Sequence, residues 1–257
     1  MSTPDPFAEL PLTGERTVPG IPGERYWFHR HEAAYAWVAN TLLRPGDIVL
    51  EAGAGEGYGA ELLRLSGAGR VIAIDYDATA VSHMRSRYPA IDAYEGNLVT
   101  IATPGSLFDL VVSLQVVEHL WDVRTFLLEC ARVAKPGARI VISTPNRPVF
   151  SPGLNRHEKP LNPFHVEEFD AEQLRELLGE SGFVGVNVHG LHHAQRLSAF
   201  ESSNGPIVPR LVQLDPQDVD TWPTDLAEIV LHSTAADFVI NEDVASAHDL
   251  IAVATVA

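Results

Sequence analysis

The types and spacing of three residues, Gln115, Glu118 and His119, could support catalysis or metal binding. Gln115 ends a nearly continuous apolar segment, "FDLVVSLQ", and Glu118 and His119 follow it. If a helical turn begins here, spacings of three and four residues place all three side chains on one face. Oxygen and nitrogen ligands on one face can hold a divalent ion that keeps positions open for a substrate. The alternative is that Glu118 caps the helix and His119 makes a local hydrogen bond.

A glycine-rich turn, "VLEAGAGEGYG" at residues 49–59, predicts a ligand that approaches the backbone closely. The dinucleotide fingerprint G-x-G-x-x-G matches Gly53 and Gly55 but fails at its third glycine, where Tyr58 stands. Glu51 precedes the first glycine, and its carboxylate would repel a pyrophosphate but tolerate a cationic centre. The turn therefore disfavours a nicotinamide dinucleotide.

Asp75 ends a second apolar segment, "VIAID", 22 residues after Gly53. An acid at that distance can accept hydrogen bonds from the hydroxyls of a ribose. The ligand that fits both features is a positively charged nucleoside without a pyrophosphate. S-adenosylmethionine meets that description.

Strand-like and helical segments alternate from residue 45 to residue 143 and would position these groups at one edge of a sheet. The order predicts an α/β, Rossmann-like fold whose mostly parallel seven-stranded sheet has helices on both faces. We expect one domain over residues 1–257, divided into an N-terminal arm and lid helix (1–44), a cofactor-binding core (45–190), and an irregular insertion with a C-terminal strand (191–257).

The composition restricts the class of partner. A formal net charge of −16, from 34 acidic against 18 basic residues, argues against nucleic acid, which is bound largely through Lys and Arg. No apolar run approaches the ~18 residues of a membrane span, and no signal peptide is evident, so we expect no membrane span. The single cysteine, Cys130, fits a reducing cytoplasm. The oligomeric state stays open, with a homodimer among the alternatives.

The segments "VLEAGAGEGYG", "VIAIDYD", "EGNL" and "FDLVVSLQVVEHL" resemble the successive cofactor motifs of class I S-adenosylmethionine-dependent methyltransferases. The resemblance covers roughly residues 45–190. It implies cofactor contacts from Glu51, Gly53 and Gly55 on the methionine side, Asp75 on the ribose, Tyr76, Asn97 and Leu98 around the adenine, and Gln115 nearby.

The N-terminal segment "RYWFHRHEAAY" resembles the start of a helix found in some sugar-directed methyltransferases. In those enzymes aromatic residues cover the cofactor and an arginine meets its carboxylate. The resemblance implies Tyr26 and Arg30 for these roles, since a guanidinium matches a carboxylate. The alternative for Arg30 is a solvated position on the helix.

The stretch "QVVEHL" also resembles the "E-V-V-E-H" of ubiquinone-pathway O-methyltransferases, where that face coordinates a divalent cation. The resemblance implies a metal set of Gln115, Glu118, His119 and His165, with Mg²⁺ the first ion considered. His165 lies in a "P-x-H-x-x-E" setting typical of the family and is the expected general base, with Glu118 and His119 also in the catalytic group. His157 is expected to be solvated, and a metal on His192 and His193 is disfavoured because neighbours on a strand point opposite ways.

Nearly end to end, the chain resembles mycobacterial-type methyltransferases that build polymethylated polysaccharides. That resemblance implies an enzyme that transfers a methyl group to a sugar hydroxyl of a small oligosaccharide substrate. The first expectation is 1-O-methylation of a 3-O-methylated mannoside, and the second is 6-O-methylation of a glucan. O-methylation of a small aromatic or quinone, and a non-catalytic binding protein with the same fold, are the remaining alternatives.

Overall fold

The structure is a computed structural model that describes residues 10–13 and 16–257. The predictions for residues 1–9 and for Gly14 and Glu15 therefore lie outside the described residues. An α/β architecture with a mostly parallel sheet is confirmed. The strands are β1 (Ile48–Ala52), β2 (Arg70–Asp75), β3 (Asp92–Glu95), β4 (Phe108–Leu114), β5 (Ala134–Pro145), β6 (Phe183–His193), β7 (Phe238–Asn241) and β8 (Asp249–Val256).

The eight strands form one sheet in the order β3-β2-β1-β4-β5-β8-β6-β7. The first five strands in this order, from β3 through β2, β1 and β4 to β5, pair in parallel. Strand β8 runs antiparallel to β5 and to β6. The central strands read as continuous apolar runs because both of their faces are covered. One apolar cluster, which includes Leu63 and Met84, covers one face, and a second, which includes Phe126 and Leu174, covers the other.

The helices that cover the sheet come from amphipathic segments. Asp170 caps one of them with Gln173 as a capping box, as its sequence predicts. The helices are α1 (Arg25–Thr41), α2 (Tyr58–Leu65), α3 (Ala78–Arg87), α4 (Val123–Val133), α5 (Arg147–Phe150), α6 (Ala171–Glu180), α7 (Gln195–Asn204), α8 (Ile207–Leu211) and α9 (Thr224–Leu231). Within the described residues, no helix has both the length and the apolar content needed to traverse a bilayer.

The C-terminal part differs from expectation in two respects. The sheet has one strand more than the seven predicted, because β7 is an edge strand of only four residues, too short to show a clear strand period. The segment predicted as irregular contains α7 and α8, and α9 follows it. Helix α7 escaped prediction because only Leu197 on it is buried, so its sequence shows almost no apolar period.

Several candidate residues lie in loops or strand ends at one edge of the sheet. The glycine turn follows β1, Asp75 ends β2, and Gln115 follows β4 at this edge. Since β6 is antiparallel to β8, the carboxyl end of β6 and the beginning of β8 lie at the same edge. Open parallel sheets place their ligands here.

Candidate active site

The glycine turn after β1 is held against β2 by its own backbone. The amides of Gly53 and Ala54 donate to the carbonyl of Ile74 at 2.8 and 3.1 Å. Gly53 has a φ of 84°, and a Cβ there would lie 2.5 Å from a methyl carbon of Val116. Gly55 has a φ of 56°, and a Cβ there would meet no atom of the described residues closer than 4.0 Å, so none of them blocks its Cα. The turn thus combines one tightly packed glycine with one that a ligand can approach.

Asp75 connects the turn to the loop after β2. Its carboxylate accepts hydrogen bonds from the amides of Gly55 at 2.7 Å and Asp77 at 3.0 Å. Burial raises the pKa of Asp75, and these two amides oppose the rise. Each carboxylate oxygen keeps a second lone pair. The side chain is therefore held in place by the backbone and retains acceptor capacity for the expected ribose.

Glu51 is a fully buried carboxyl group at the end of β1. The hydroxyl of Tyr35 donates to one of its oxygens, and the second oxygen has no hydrogen-bond partner among the described residues. Burial raises the pKa of Glu51 to about 8. An unsatisfied buried carboxyl oxygen is costly unless a ligand pairs with it. The site therefore fits a ligand with a cationic group, such as the ammonium of a methionine moiety.

The residues expected around an adenine have unequal environments. Tyr76 is 69% exposed, and Leu98 is buried. The side-chain oxygen of Asn97 accepts from the amide of Val99 at 3.0 Å, so it stabilises its own loop. An adenine amino group would share that oxygen with the loop.

Arg30 and Tyr26 differ most from expectation. Arg30 forms a two-point ion pair with Asp249, the first residue of β8, and both side chains are buried. Tyr26 is fully buried, with its hydroxyl 2.6 Å from Nε2 of His193. The protein thus supplies the carboxylate that Arg30 was expected to take from the cofactor. Local sequence patterns could not indicate this pair, because Asp249 is 219 residues away from Arg30.

Glu118, His119 and His165 lie together, with one ligand atom of each within 4.8 Å of the others. Glu118 and His119 belong to a 3-10 turn, Val117–His119, and the Glu118 carbonyl accepts from the amide of Val166 at 2.7 Å. This bond joins the turn to the long loop that carries His165. Glu118 is buried, which raises its pKa to about 8.

The two imidazoles of the cluster are oriented by different partners. Nδ1 of His119 lies 3.0 Å from the Phe164 carbonyl, to which it can only donate, so Nε2 carries the lone pair. Nδ1 of His165 lies 2.6 Å from a carboxylate oxygen of Glu168, and the side-chain amide of Asn162 lies 2.9 Å from Nε2 of His165. Glu168 is fully buried. The arrangement pairs an imidazole with a carboxylate that fixes its tautomer, as in general bases.

Gln115 does not share a face with Glu118 and His119, contrary to expectation. It has a φ of 57°, and its side-chain amide donates to Ser143 at 3.2 Å. The 3-10 turn begins only at Val117, so the helical spacing does not extend back to Gln115. The expected metal set is thus reduced to Glu118, His119 and His165.

Arg147 is a residue of the site that sequence reasoning missed. This buried side chain donates to the carbonyls of Glu168 at 3.0 Å and Asn155, and so holds both ends of the loop that carries His165. Glu168 itself could have been found, because it stands three residues after His165 in the quoted "P-x-H-x-x-E" pattern.

Comparison with known proteins agrees with this geometry. A family profile described as "Methyltransferase domain" matches residues 50–142. A probable S-adenosylmethionine-dependent methyltransferase of Mycobacterium tuberculosis (strain ATCC 25618 / H37Rv) is 44% identical over 248 residues, 96% of this chain and 87% of that protein. Another, from Mycolicibacterium smegmatis, is 43% identical over 95% of each chain.

More distant proteins share parts of the chain or only its fold. A ubiquinone biosynthesis O-methyltransferase of Bradyrhizobium diazoefficiens is 40% identical over 103 residues, 38% of this chain and 40% of that protein. Among solved structures, a possible histamine N-methyltransferase from Thermotoga maritima matches with a TM-score of 0.59 and 17% identity, over 90% of this chain and 92% of its own.

The [4+2]-cyclase SpnF matches with a TM-score of 0.57 and 18% identity, over 87% of this chain and 79% of its own. One fold therefore serves different reactions, and the acceptor must be argued from the site. The cofactor is a different matter, because the near full-length relatives are themselves described as S-adenosylmethionine-dependent methyltransferases. The chain belongs to the class I S-adenosylmethionine-dependent methyltransferases.

Proposed function

We propose that the enzyme is a sugar O-methyltransferase in which His165 removes the proton of an acceptor hydroxyl. The observation that carries the proposal is the buried Glu168–His165 pair beside Glu118 and His119. A sugar hydroxyl is a weak nucleophile at neutral pH, so its methylation needs a base close to the oxygen. An amine or thiol acceptor would need less assistance.

The proton-transfer role follows from the partners of His165. The side-chain NH2 group of Asn162 can only donate, so Nε2 of His165 carries the lone pair and Nδ1 carries the hydrogen that faces Glu168. Glu168 also stabilises the imidazolium that forms when Nε2 takes a proton. In the structure the side-chain amide of Asn162 is hydrogen-bonded to Nε2, so the acceptor hydroxyl must displace this amide. Catalytic hydrogen bonds commonly form only when the substrate is bound.

S-adenosylmethionine supplies a methyl group on a sulfonium, and the chain's own residues would bind it at the same sheet edge as the cluster. Glu51 and the glycine turn are suited to the methionine part, and Asp75 to the ribose. Alignment of the acceptor with the sulfonium methyl group is the main contribution that such binding can make.

A divalent cation held by Glu118, His119 and His165 is the alternative way to activate the acceptor hydroxyl, because Nε2 of His165 cannot bind an ion and take a proton at the same time. One oxygen of Glu118 is buried without a partner among the described residues, which supports a cation beside it. A bound cation would lower the pKa of the acceptor hydroxyl. The donor set has two imidazoles and one carboxylate and lacks the oxygen of Gln115, so Mn²⁺ or Zn²⁺ suits it better than the Mg²⁺ first considered.

Exposed apolar side chains beside the cluster support a carbohydrate acceptor. Trp121 is 91% exposed two residues after His119, and Phe164 is 45% exposed one residue before His165. Trp121 also borders a groove of about 290 Å³ whose other walls include Arg124, Arg156 and Glu167. An aromatic face with charged groups around it can stack on the apolar face of a sugar and bind its hydroxyls.

For the acceptor we propose the same order of preference as the sequence resemblance implies. A 3-O-methylated mannoside with a free 1-hydroxyl comes first, a glucan methylated at a 6-hydroxyl second, and a small aromatic or quinol third. The cytoplasm is the proposed compartment, which the unpaired, buried Cys130 supports.

The test is transfer of labelled methyl groups from the cofactor to a panel of manno-oligosaccharides, gluco-oligosaccharides and a catechol. We expect transfer to a sugar, with turnover lowered about 10²–10⁴-fold by His165→Ala. His157→Ala is the matched control, because His157 is an exposed histidine on the same loop. Transfer to the catechol alone, or full turnover in His165→Ala, would contradict the proposal.

A further inference from the structure

We propose that His193, Glu201 and His248 form a second metal site, which binds a divalent transition-metal ion of the Zn²⁺ class. The three residues come from the end of β6, from α7 and from the residue before β8. One ligand atom of each lies within 4.8 Å of the others, as in the Glu118 cluster. Two imidazoles and one carboxylate are a typical ligand set for such ions.

The geometry of the three groups is close to what a metal requires. Nδ1 of His193 lies 2.9 Å from a carboxylate oxygen of Glu201, and the rings of His193 and His248 are 3.9 Å apart with a tilt of 32°. A tetrahedral ion with bonds of about 2.0–2.1 Å holds its ligand atoms roughly 3.3 Å apart. The three side chains must therefore rotate to bring their ligand atoms to these separations around an ion.

His248 offers a nitrogen that the fold does not use. Its Nδ1 is buried and has no hydrogen-bond partner among residues 10–13 and 16–257. A neutral imidazole with a free lone pair is the form that binds a metal. A buried nitrogen of this kind costs free energy unless something pairs with it.

Groups around the three residues are placed to support ligation. The hydroxyl of Tyr26 lies 2.6 Å from Nε2 of His193, so with a metal on Nδ1 the Nε2–H would donate to this hydroxyl. The other carboxylate oxygen of Glu201 accepts from the amide of Ile207 at 2.8 Å. The nearby charge of Arg30 is compensated by Asp249. A bound ion would thus tie α7 to the sheet edge and, through Tyr26, to α1.

The experiment is a titration of the full, metal-stripped chain with Co²⁺ and Zn²⁺, with visible absorption of Co²⁺ and metal content per chain as readouts. It is done in a His119→Ala background, which removes one ligand of the Glu118 cluster. We expect about one ion per chain with tetrahedral Co²⁺ absorption. Adding Glu201→Gln or His248→Ala should abolish that absorption, and Tyr26→Phe should weaken affinity about 10–100-fold.

The matched control is His192→Ala in the same background. His192 neighbours His193 on β6, but its Nε2 lies 2.8 Å from the carbonyl of Asp243, on the other side of the strand. This variant should bind Co²⁺ like its parent. Binding of S-adenosylhomocysteine by each variant verifies that it is folded. Absence of a bound ion in the His119→Ala parent, or an unchanged Co²⁺ affinity in both Glu201→Gln and His248→Ala, overturns the proposal. Neither result depends on methyl transfer.

Discussion

Glu168 lies 2.6 Å from Nδ1 of His165 and is itself completely buried. The pair lies on a loop, yet Arg147 and the backbone bond between Val166 and Glu118 hold that loop on the sheet edge. A histidine whose tautomer is set by a buried carboxylate has a defined basic nitrogen. The contacts that hold the loop on the sheet therefore also position the Glu168–His165 pair for the proposed proton transfer.

Replacing Glu168 with Gln should reduce kcat about 10–100-fold, because the amide cannot stabilise the imidazolium and can hold the wrong tautomer. Affinity for S-adenosylhomocysteine should not change, since Glu168 is not among the groups proposed for the cofactor. Steady-state kinetics and calorimetry measure the two quantities. Glu158→Gln, at an exposed position on the same loop, is the control. Equal kcat values in the two variants would remove Glu168 from the mechanism.

Cofactor binding should release a proton from Glu51. Burial raises its pKa to about 8, whereas a bound cation favours the ionised form and lowers that pKa. Binding should therefore strengthen as pH rises toward about 8 and then level off. Calorimetry in two buffers with different ionisation enthalpies measures the released protons. The Glu51→Gln variant should bind more weakly and release fewer of them, and an identical proton count would count against this role.

The same raised pKa has a consequence for stability. Between the ordinary value of 4.5 and the folded value of about 8, the folded chain binds the Glu51 proton more tightly than the unfolded chain does. The contribution of Glu51 to the free energy of unfolding should therefore fall as pH rises through this window. Denaturation of the cofactor-free wild type and of Glu51→Gln across the window should show a steeper fall in the wild type.

Gly53→Ala should destabilise the fold more than Gly137→Ala. Both glycines have a positive φ, 84° and 76°. A Cβ at Gly53 would lie 2.5 Å from Val116, whereas a Cβ at Gly137 would have no atom of residues 10–13 and 16–257 within 4 Å. The difference isolates the steric clash and should amount to about 1–3 kcal/mol. Chemical denaturation measures it. Adding Val116→Ala should recover part of the loss, and no recovery would indicate backbone strain alone.

Asp249→Asn should cost about 3–5 kcal/mol of stability, because it leaves the buried charge of Arg30 unpaired. Asp92→Asn is the control. Its ion pair with Arg70 is half-exposed and should contribute less than about 1 kcal/mol. Urea denaturation compares the two variants. A similar loss in both would mean that the burial of the Arg30–Asp249 pair has no energetic consequence.

Trp121→Ala should raise KM for the acceptor about 2–10-fold and leave stability and cofactor affinity unchanged. The side chain is 91% exposed, so its removal leaves no cavity. Acceptor kinetics with the sugar identified by the screen provide the measurement. Leu65→Ala, at an exposed apolar residue on α2, is the matched control. A KM equal to that of the control would separate Trp121 from the acceptor site.

The local sequence predicted the alternating core of the fold, because each buried parallel strand and amphipathic helix carries its own apolar pattern. It did not predict β7, which has only four residues, or α7, whose side chains are largely exposed. The convergence of Glu118 and His119 with His165 was expected from the family resemblance. The partners that are distant along the chain, such as Asp249 for Arg30 and Tyr26 for His193, could not be predicted, because only tertiary packing brings them together.

The position of β8 between β5 and β6 has a consequence for synthesis of the protein. The other seven described strands precede β8 in the chain, and β6 pairs with the rest of the sheet only through it. A growing polypeptide can assemble the glycine turn and β1 to β5 while translation continues. Strands β6 and β7, and with them His193, can join only after residues 249–256 have left the ribosome. The nucleoside side of the cleft can therefore form before the cluster of His193, Glu201 and His248.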